Sequence, residues 1–257
     1  MKPTDLPSMN YLRSAASPAG ARPFHVGIVI GPGYNPMDMV GIHTVATVIP
    51  GAQIHFLWKT HDLVEGYPSW WTRPTTTFAE APDKLDVLAV PMMMPEVQND
   101  PEVIAFVRTK AKLASHIVGI CNGVLVLGAA GLLIGRRATT NHNSLPLLSE
   151  LGVSEVVPAD LGVVQDGNIY TAGPGLGCYE AMFRVVENAF GLEAAQFAEV
   201  AIEYDPRPVY GMGVASQADP KLLKRFEEFM EPLVKDYRIG SLAAYNAVTS
   251  SAHPTAA

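Results

Sequence analysis

A cysteine at the end of a short apolar run is the residue of this chain best placed to do chemistry. The stretch "SHIVGICNGVLVLGAAGLL" (115–133) has an apolar run, then Cys121, then an alanine- and leucine-rich run. This order predicts a buried strand over 117–120, a sharp turn at Cys121 and a helix over 122–131. A residue at such a junction lies at the carboxyl end of a parallel sheet, where ligands bind in α/β proteins.

The helix that follows the cysteine indicates a reactive thiol. A helix N-terminus carries a partial positive charge, which favours the nucleophilic thiolate over the thiol. Cys121 is therefore predicted to be a nucleophile with a depressed pKa, and Gly119 and Gly123 leave room for the tight turn. The alternative is a small, buried, apolar residue, as most free cysteines are. The pattern G-x-C-x-G between a strand and a helix favours the reactive residue.

The elements that must position this cysteine alternate between strands and helices. Near-continuous apolar runs are typical of strands buried on both faces, as in parallel sheets. The whole pattern predicts an α/β fold with a largely parallel sheet. The predicted strands are 24–30, 52–58, 75–78, 85–91 and 117–120, with further strands around an Asp-Gly turn in 156–173. The predicted helices are 37–49, 100–114, 122–131, 178–191 and 219–238.

The 257 residues, 48% of them hydrophobic, are enough for one large domain with a well-buried core. Residues 1–22 are rich in proline, serine and alanine and are predicted to form an N-terminal arm. Residues 23–238 are predicted to form the α/β domain, and residues 239–257 a C-terminal extension.

Composition and charge exclude several classes of function. The net charge is −7 and there is no basic cluster, so nucleic acid is not an expected partner. No apolar run reaches the roughly 18–20 residues of a membrane helix, and the first residues do not form a signal peptide, so we expect a cytoplasmic protein. Two cysteines do not make a disulfide framework. The seven histidines have no metal-ligand spacing, so neither a metal nor a cofactor is expected.

An ordered set of motifs carries a family resemblance. "GICNGVLVLGAAGLLIGRRATTNH" closely resembles the elbow region of the ThiJ/PfpI superfamily, which has the class I glutamine-amidotransferase-like fold. "MDMVG", "PTTTFAEAP", "LDVLAVP", "VVQDGNIYTAG" and "IEYDPRP" extend it over about 24–235, and within the superfamily the chain is most similar to isocyanide hydratases. The resemblance implies a flavodoxin-like three-layer sandwich, a homodimer, a small-molecule substrate and a nucleophilic Cys121.

The resemblance also implies an acidic residue close to the sulfur. Asp38 in "GYNPMDMVG" matches the aspartate of the hydratases. A partly buried carboxyl group beside a thiolate should have a raised pKa, so it can donate a hydrogen bond or a proton. The alternative is that Asp38 only caps the helix that follows it. In the implied reaction Cys121 attacks the terminal carbon of an isocyanide, Asp38 protonates that carbon, and water releases a formamide.

The pocket residues depart from the hydratase pattern. Asn122 stands where the family has threonine, and its backbone N–H and its amide are candidate donors to an anion. Met92 and Met93 stand at glycine positions, where methionine does not adopt a positive φ cheaply and would crowd or line the pocket. After "ATT", Asn141 and His142 replace a histidine and a tryptophan. The predicted substrate-binding residues are Met92, Met93, Gly33 of the loop "GPGYNP", His142 and Trp71.

Two other functions remain open from the residues alone. One is glyoxalase- or deglycase-like chemistry on reactive aldehydes, although that branch pairs its cysteine with glutamate rather than aspartate. The other is a redox sensor in which Cys121 is oxidised. The second cysteine, Cys178, opens a predicted helix and is interpreted as structural. Trp70 and Trp71 face opposite ways on an extended segment, so one of them covers the site or both pack on the surface.

Overall fold

The computed structural model describes residues 22–252, together with Pro7 near the N-terminus. The predicted arm over 1–22 therefore lies outside the described residues, apart from Pro7 and Arg22. Arg22 binds the domain, because its guanidinium Nη2 lies 2.6 Å from the Asp86 carboxylate.

A seven-stranded sheet forms the centre of the molecule. In chain order the strands are β1 Phe24–Val29, β2 Ala52–Trp58, β3 Val64–Gly66, β4 Trp70–Thr72, β5 Thr76–Thr77, β6 Val87–Val90, β7 His116–Ile120, β8 Arg137–Ala138, β9 Glu155–Val156, β10 Val164–Asp166 and β11 Ile169–Ala172. The central sheet has the order β10-β11-β7-β6-β1-β2-β5, and β3–β4 and β8–β9 form two small sheets. Every pairing in the central sheet is parallel except β10 with β11.

The sequence pattern explains the middle of this sheet. All side chains of β6 and β7 are buried, as the continuous apolar runs predict. The Asp-Gly turn predicted in 156–173 is confirmed: β10 returns to β11 through Gly167, which has a φ of 61°. This hairpin is the antiparallel pairing of the central sheet and the other pairings are parallel, so the predicted largely parallel sheet is confirmed.

Helices cover both faces of the sheet and make a three-layer sandwich. They are α1 Pro36–Ala46, α2 Pro95–Gln98, α3 Pro101–Ala111, α4 Gly123–Ala129, α5 Leu145–Glu150, α6 Leu176–Phe190, α7 Leu192–Ala201 and α8 Pro220–Ala252. On one face α1 packs against α6, and on the other α4 packs against α3 and α8. No helix among the described residues has the length and apolar character needed to cross a membrane.

The last helix differs from its predicted bounds. The sequence predicts its end at 238, but α8 continues to Ala252 and so runs through most of the predicted C-terminal extension. Gly240, just after the predicted end, lies within the helix. An added Cβ at Gly240 would lie 2.5 Å from Asn99 Nδ2. Glycine at this position therefore permits a close approach and does not cap the helix.

Candidate active site around Cys121

The backbone of Cys121 forms the junction between β7 and α4. Its φ is 53°, in the left-handed region that non-glycine residues rarely adopt. Two hydrogen bonds hold it there: its N–H donates to the Ala172 carbonyl at 3.0 Å, and its carbonyl accepts from Thr140 Oγ1 at 2.5 Å. The predicted sharp turn is confirmed, and the surrounding structure holds the cysteine in a strained conformation.

Glycine on either side of the cysteine is required by packing. A Cβ at Gly123 would lie 1.9 Å from the carbonyl oxygen of Val90, which is a fixed backbone atom. A Cβ at Gly119 would lie 2.8 Å from Leu127 Cδ1. The G-x-C-x-G pattern thus lets the start of α4 approach the end of β6 closely.

Asp38 lies buried in the first turn of α1. The cap of that helix is Asn35, whose side chain accepts from the Met37 N–H at 3.1 Å, so the capping role considered for Asp38 is wrong. The Asp38 carboxylate accepts from the Gly175 N–H at 3.1 Å and faces the Met92 N–H at 3.4 Å. Burial outweighs these two donors and raises the pKa of Asp38 to about 6, which confirms the predicted direction.

The thiol of Cys121 does not have the depressed pKa that the sequence predicts. Burial and the negative charge of Asp38 raise its pKa well above the usual value, against hydrogen bonds from the Asn122 backbone and the Asn141 side chain. The residue is only 8% exposed. The prediction considered the helix N-terminus alone, and desolvation is the larger effect in this enclosed position.

A cluster of polar side chains surrounds the sulfur. Asn122 Oδ1 accepts from Asn141 Nδ2 at 2.5 Å and from Ser144 Oγ at 2.7 Å. The Asn122 side chain also lies near the hydroxyl of Tyr237 on α8 and opposes the rise of the tyrosine pKa. The two hydrogen bonds engage the amide oxygen of Asn122, so donation from its amide N–H to a substrate stays a prediction, and its backbone N–H faces the sulfur.

Asn141 is a changed pocket position that was not among the predicted substrate-binding residues. Its neighbour His142 was, but the His142 imidazole lies 2.9 Å from Glu227 of α8, at the surface. The Asn141 side chain lies near the sulfur, where it opposes the rise of the Cys121 pKa. Its place directly after "ATT" was a usable signal, since Thr140 binds the Cys121 carbonyl.

The two methionines contribute backbone more than pocket lining. Met93 is fully buried and its carbonyl accepts from the Tyr237 hydroxyl at 2.6 Å. Met92 directs its N–H toward Asp38. Among residues 22–252, the non-glycine residues with positive φ are Ser69, Cys121 and Glu203. Met92 and Met93 therefore do not have the left-handed backbone conformation that would favour glycine. The expectation that methionine strains this turn is wrong.

Gly33 and Trp71 lie in neighbouring parts of the structure. Gly33 has a φ of 73°, and a Cβ there would lie 2.3 Å from Met94 Cγ. Its N–H donates to the Glu65 carbonyl of β3 at 2.7 Å, so the β3–β4 hairpin packs on this loop. Trp71 of that hairpin is 59% exposed. Contact of Trp71 with a substrate stays a prediction.

Cys178 is a buried thiol whose setting is structural. Its Sγ lies 3.4 Å from the Met37 carbonyl, and burial together with the charge of Asp38 raises its pKa to about 12. A Cβ on Gly41 would lie 2.2 Å from this sulfur, so the thiol fills the contact between α1 and α6. These observations support the structural interpretation.

The three-layer sandwich agrees with the comparisons with known proteins. The sequence model of the DJ-1/PfpI family matches residues 25–188. An isonitrile hydratase of Pseudomonas putida is 31% identical over 212 residues, covering 82% of this chain and 91% of that protein. The chain belongs to the DJ-1/PfpI family.

Two solved structures resemble the fold. A THiJ/PfpI family protein from Pseudomonas syringae superposes with a TM-score of 0.81 at 27% identity, covering 94% of this chain and 97% of the other. Drosophila melanogaster DJ-1beta superposes with a TM-score of 0.63 at 21% identity, covering 72% of this chain and 100% of that protein. The second likeness shows the fold alone.

Proposed function

We propose that the protein hydrates isocyanides to N-substituted formamides, with Cys121 as nucleophile and Asp38 as proton carrier. The observation that carries the proposal is the pairing of a buried thiol of raised pKa with a buried carboxyl group whose pKa is about 6. The similarity to an isonitrile hydratase over most of both chains supports the same activity.

The first step moves one proton from sulfur to carbon. Near neutral pH the Asp38 carboxyl is mostly ionised, since its pKa is about 6, and the Cys121 thiol is protonated. As sulfur forms a bond to the terminal isocyanide carbon, the S–H proton passes to Asp38. The resulting carboxylic acid then protonates that carbon. The product is a thioimidate, R–N=CH–S–Cys121, and Asp38 is again a carboxylate.

The second step consumes one water. Asp38 accepts a proton as the water oxygen bonds to the thioimidate carbon, and it passes that proton to the nitrogen. The C–S bond then breaks as the carbonyl forms, and the hydroxyl proton passes through Asp38 to the departing thiolate. The net change is R–NC plus water to R–NH–CHO, with no electron transfer. The Asn122 N–H and the Asn141 amide face the sulfur and stabilise its developing negative charge in both steps.

The enclosure of Cys121 favours this substrate over the two alternatives. An isocyanide presents an unsubstituted terminal carbon, which reaches a sulfur that is only 8% exposed by end-on approach. A trigonal aldehyde carbon has substituents to accommodate. Redox-sensing cysteines are accessible thiols of low pKa, and Cys121 has the opposite properties.

We further propose a homodimer in a reducing cytoplasm. Large apolar side chains are widely exposed on the single chain, among them Phe197, Val200 and Phe229 at 65–77%. A surface of this kind is typical of proteins with a partner. Both cysteines are free thiols, as a reducing compartment would keep them.

The test is a substrate screen with variants of the two cysteines. Aryl and alkyl isocyanides are incubated with the protein, beside methylglyoxal, and formamide is quantified by chromatography. We expect formamide from isocyanides, and Cys121→Ala should lower the rate by about 10³-fold or more because the covalent route is lost. Cys178→Ser is the matched control and should remain active. Turnover of methylglyoxal alone, or an active Cys121→Ala protein, would contradict the proposal.

A further inference from the structure

The long C-terminal helix reaches the back of the candidate active site through one side chain. Tyr237 of α8 is completely buried, and its hydroxyl donates to the Met93 carbonyl at 2.6 Å. Burial raises the pKa of Tyr237, the Asn122 side chain opposes that shift by a hydrogen bond, and the charges of Cys121 and Asp38 add to it. The hydroxyl is therefore within electrostatic reach of both proposed reacting groups.

The hydroxyl binds one of the two backbone segments that serve the reaction and lies near the other. Met93 follows Met92, whose N–H faces the Asp38 carboxylate at 3.4 Å. Asn122 directs its own N–H at the Cys121 sulfur. Tyr237 thus binds the loop after β6 and lies beside the turn after β7.

We propose that Tyr237 is a positioning residue that holds the Met92 and Asn122 N–H groups in register with the carboxylate and the sulfur. It touches neither substrate nor reacting atoms, and it acts through the Met93 carbonyl and the Asn122 side chain. The kinetic part of the proposal rests on the proposed hydration of isocyanides. The predicted change in the alkylation of the Cys121 thiol does not depend on that function.

Other contacts hold α8 in place, so the hydroxyl is not needed for docking of the helix. Arg238 pairs with Glu150 at 2.7 Å, and Ser241 Oγ lies 3.2 Å from Asn99 Oδ1. The buried Gln98 amide, oriented to donate, also reaches the carbonyls of Met93 and Asn122 at 3.2 Å. That link joins main chain to main chain, whereas Tyr237 binds the Met93 carbonyl by its side chain and lies near the Asn122 side chain.

The first measurement is the pH dependence of Cys121 alkylation by iodoacetamide, in a Cys178→Ser background. Tyr237→Phe removes one hydroxyl and keeps the ring. We expect the alkylation midpoint to rise by about one pH unit, because the donors to the thiolate are less well aligned. In turnover of isocyanide, kcat should fall about tenfold with KM nearly unchanged, the pattern of a lost transition-state interaction.

Two variants separate positioning from general stability. Tyr170→Phe removes another buried tyrosine hydroxyl, 3.3 Å from His116 Nδ1, and Arg238→Ala removes an exposed anchor of α8. Both should keep the parental midpoint and kcat, even where the melting temperature falls. Should the Phe variant not fold, Tyr237→Met takes its place, since methionine fills irregular space without a hydroxyl.

The proposal is overturned if the Tyr237 variant alkylates with the same midpoint as Tyr170→Phe. It is also overturned if kcat falls only in proportion to the folded fraction. A parent protein that hydrates no isocyanide would refute the proposed function alone, because the alkylation profile would still decide the role of Tyr237.

Discussion

Replacing Asp38 by asparagine should make the protein more stable at pH 8 and inactive. The Asp38 carboxyl has a pKa of about 6, against an ordinary value of 3.8. At 1.36 kcal/mol per pH unit, this difference of about two units means that ionised Asp38 lowers the free energy of unfolding by about 3 kcal/mol. Asparagine is nearly isosteric and never ionises.

The contacts of Asp38 reduce that gain. Asparagine retains an acceptor for the Gly175 N–H, but its amide nitrogen cannot accept from Met92. The Met92 contact is long, at 3.4 Å, so we take its loss as about 1 kcal/mol. The expected net stabilisation of Asp38→Asn at pH 8 is therefore about 2 kcal/mol.

The sign of the effect depends on pH. Between the ordinary pKa of 3.8 and the folded value of about 6, the folded chain keeps a proton that the unfolded chain has released. The stability of the parent protein therefore falls as pH rises through this window. The variant lacks this slope, so its advantage at pH 8 should vanish near pH 4, where Asp38 is neutral.

Urea unfolding at several pH values between 4 and 8, at one protein concentration, measures the effect. The kcat/KM of the parent should rise with pH through about 6 and then level off, since the carboxylate is the proton acceptor. Asp86→Asn is the control: hydrogen bonds from Arg22 and the His25 N–H, with the Arg22 charge, outweigh burial and lower the pKa of Asp86. That variant should lose stability at pH 8. If Asp38→Asn is destabilised equally at pH 4 and pH 8, burial does not disfavour the charged form of Asp38 and the reasoning fails.

Two further predictions concern packing and assembly. Gly123→Ala should lower the free energy of unfolding, measured with urea, by about 3 kcal/mol or more, because the new Cβ would lie 1.9 Å from the Val90 carbonyl oxygen. A loss below about 0.5 kcal/mol would show that α4 moves freely away from β6. Light scattering after size-exclusion chromatography should give a mass twice that of the 27.6 kDa chain. Phe229 is 77% exposed on the single chain, and Phe229→Glu should lower the measured mass because it places a charge in an apolar interface. A monomeric parent protein would contradict the proposed homodimer.

The sequence predicts the sheet better than it predicts the site. Strand 52–58 is predicted to the residue, and 117–120 is extended by His116 alone. Apolar residues at alternate positions in the first and a continuous apolar run in the second, both next to turn residues, predict strands. The turn at Cys121 follows from its flanking glycines. The direction in which the Cys121 pKa is shifted does not follow from the motif. The motif shows the helix that follows the cysteine but not how much water reaches the sulfur.

Local sequence patterns do not predict which residues reach the site from distant elements. Tyr237 belongs to the amphipathic pattern predicted over 219–238, four residues after Leu233, and this pattern predicts a packed face but not the surface against which it packs. Asn141 and His142 are equally polar neighbours, and only the direction of the chain after Thr140 decides which one faces the sulfur. Both cases depend on tertiary contacts between segments far apart in the chain.

The unfavourable features of this fold converge on one place, which is an argument for function independent of any relative. Among residues 22–252, three non-glycine residues have a positive φ, and of these Cys121 alone is buried. Beside it lies a carboxyl group that burial disfavours in its charged form. Strain and buried charge each lower stability, so a sequence selected for folding alone would remove them by ordinary substitutions such as Asp38→Asn. Their presence together, at the carboxyl end of the sheet, supports the proposed proton transfer between Cys121 and Asp38.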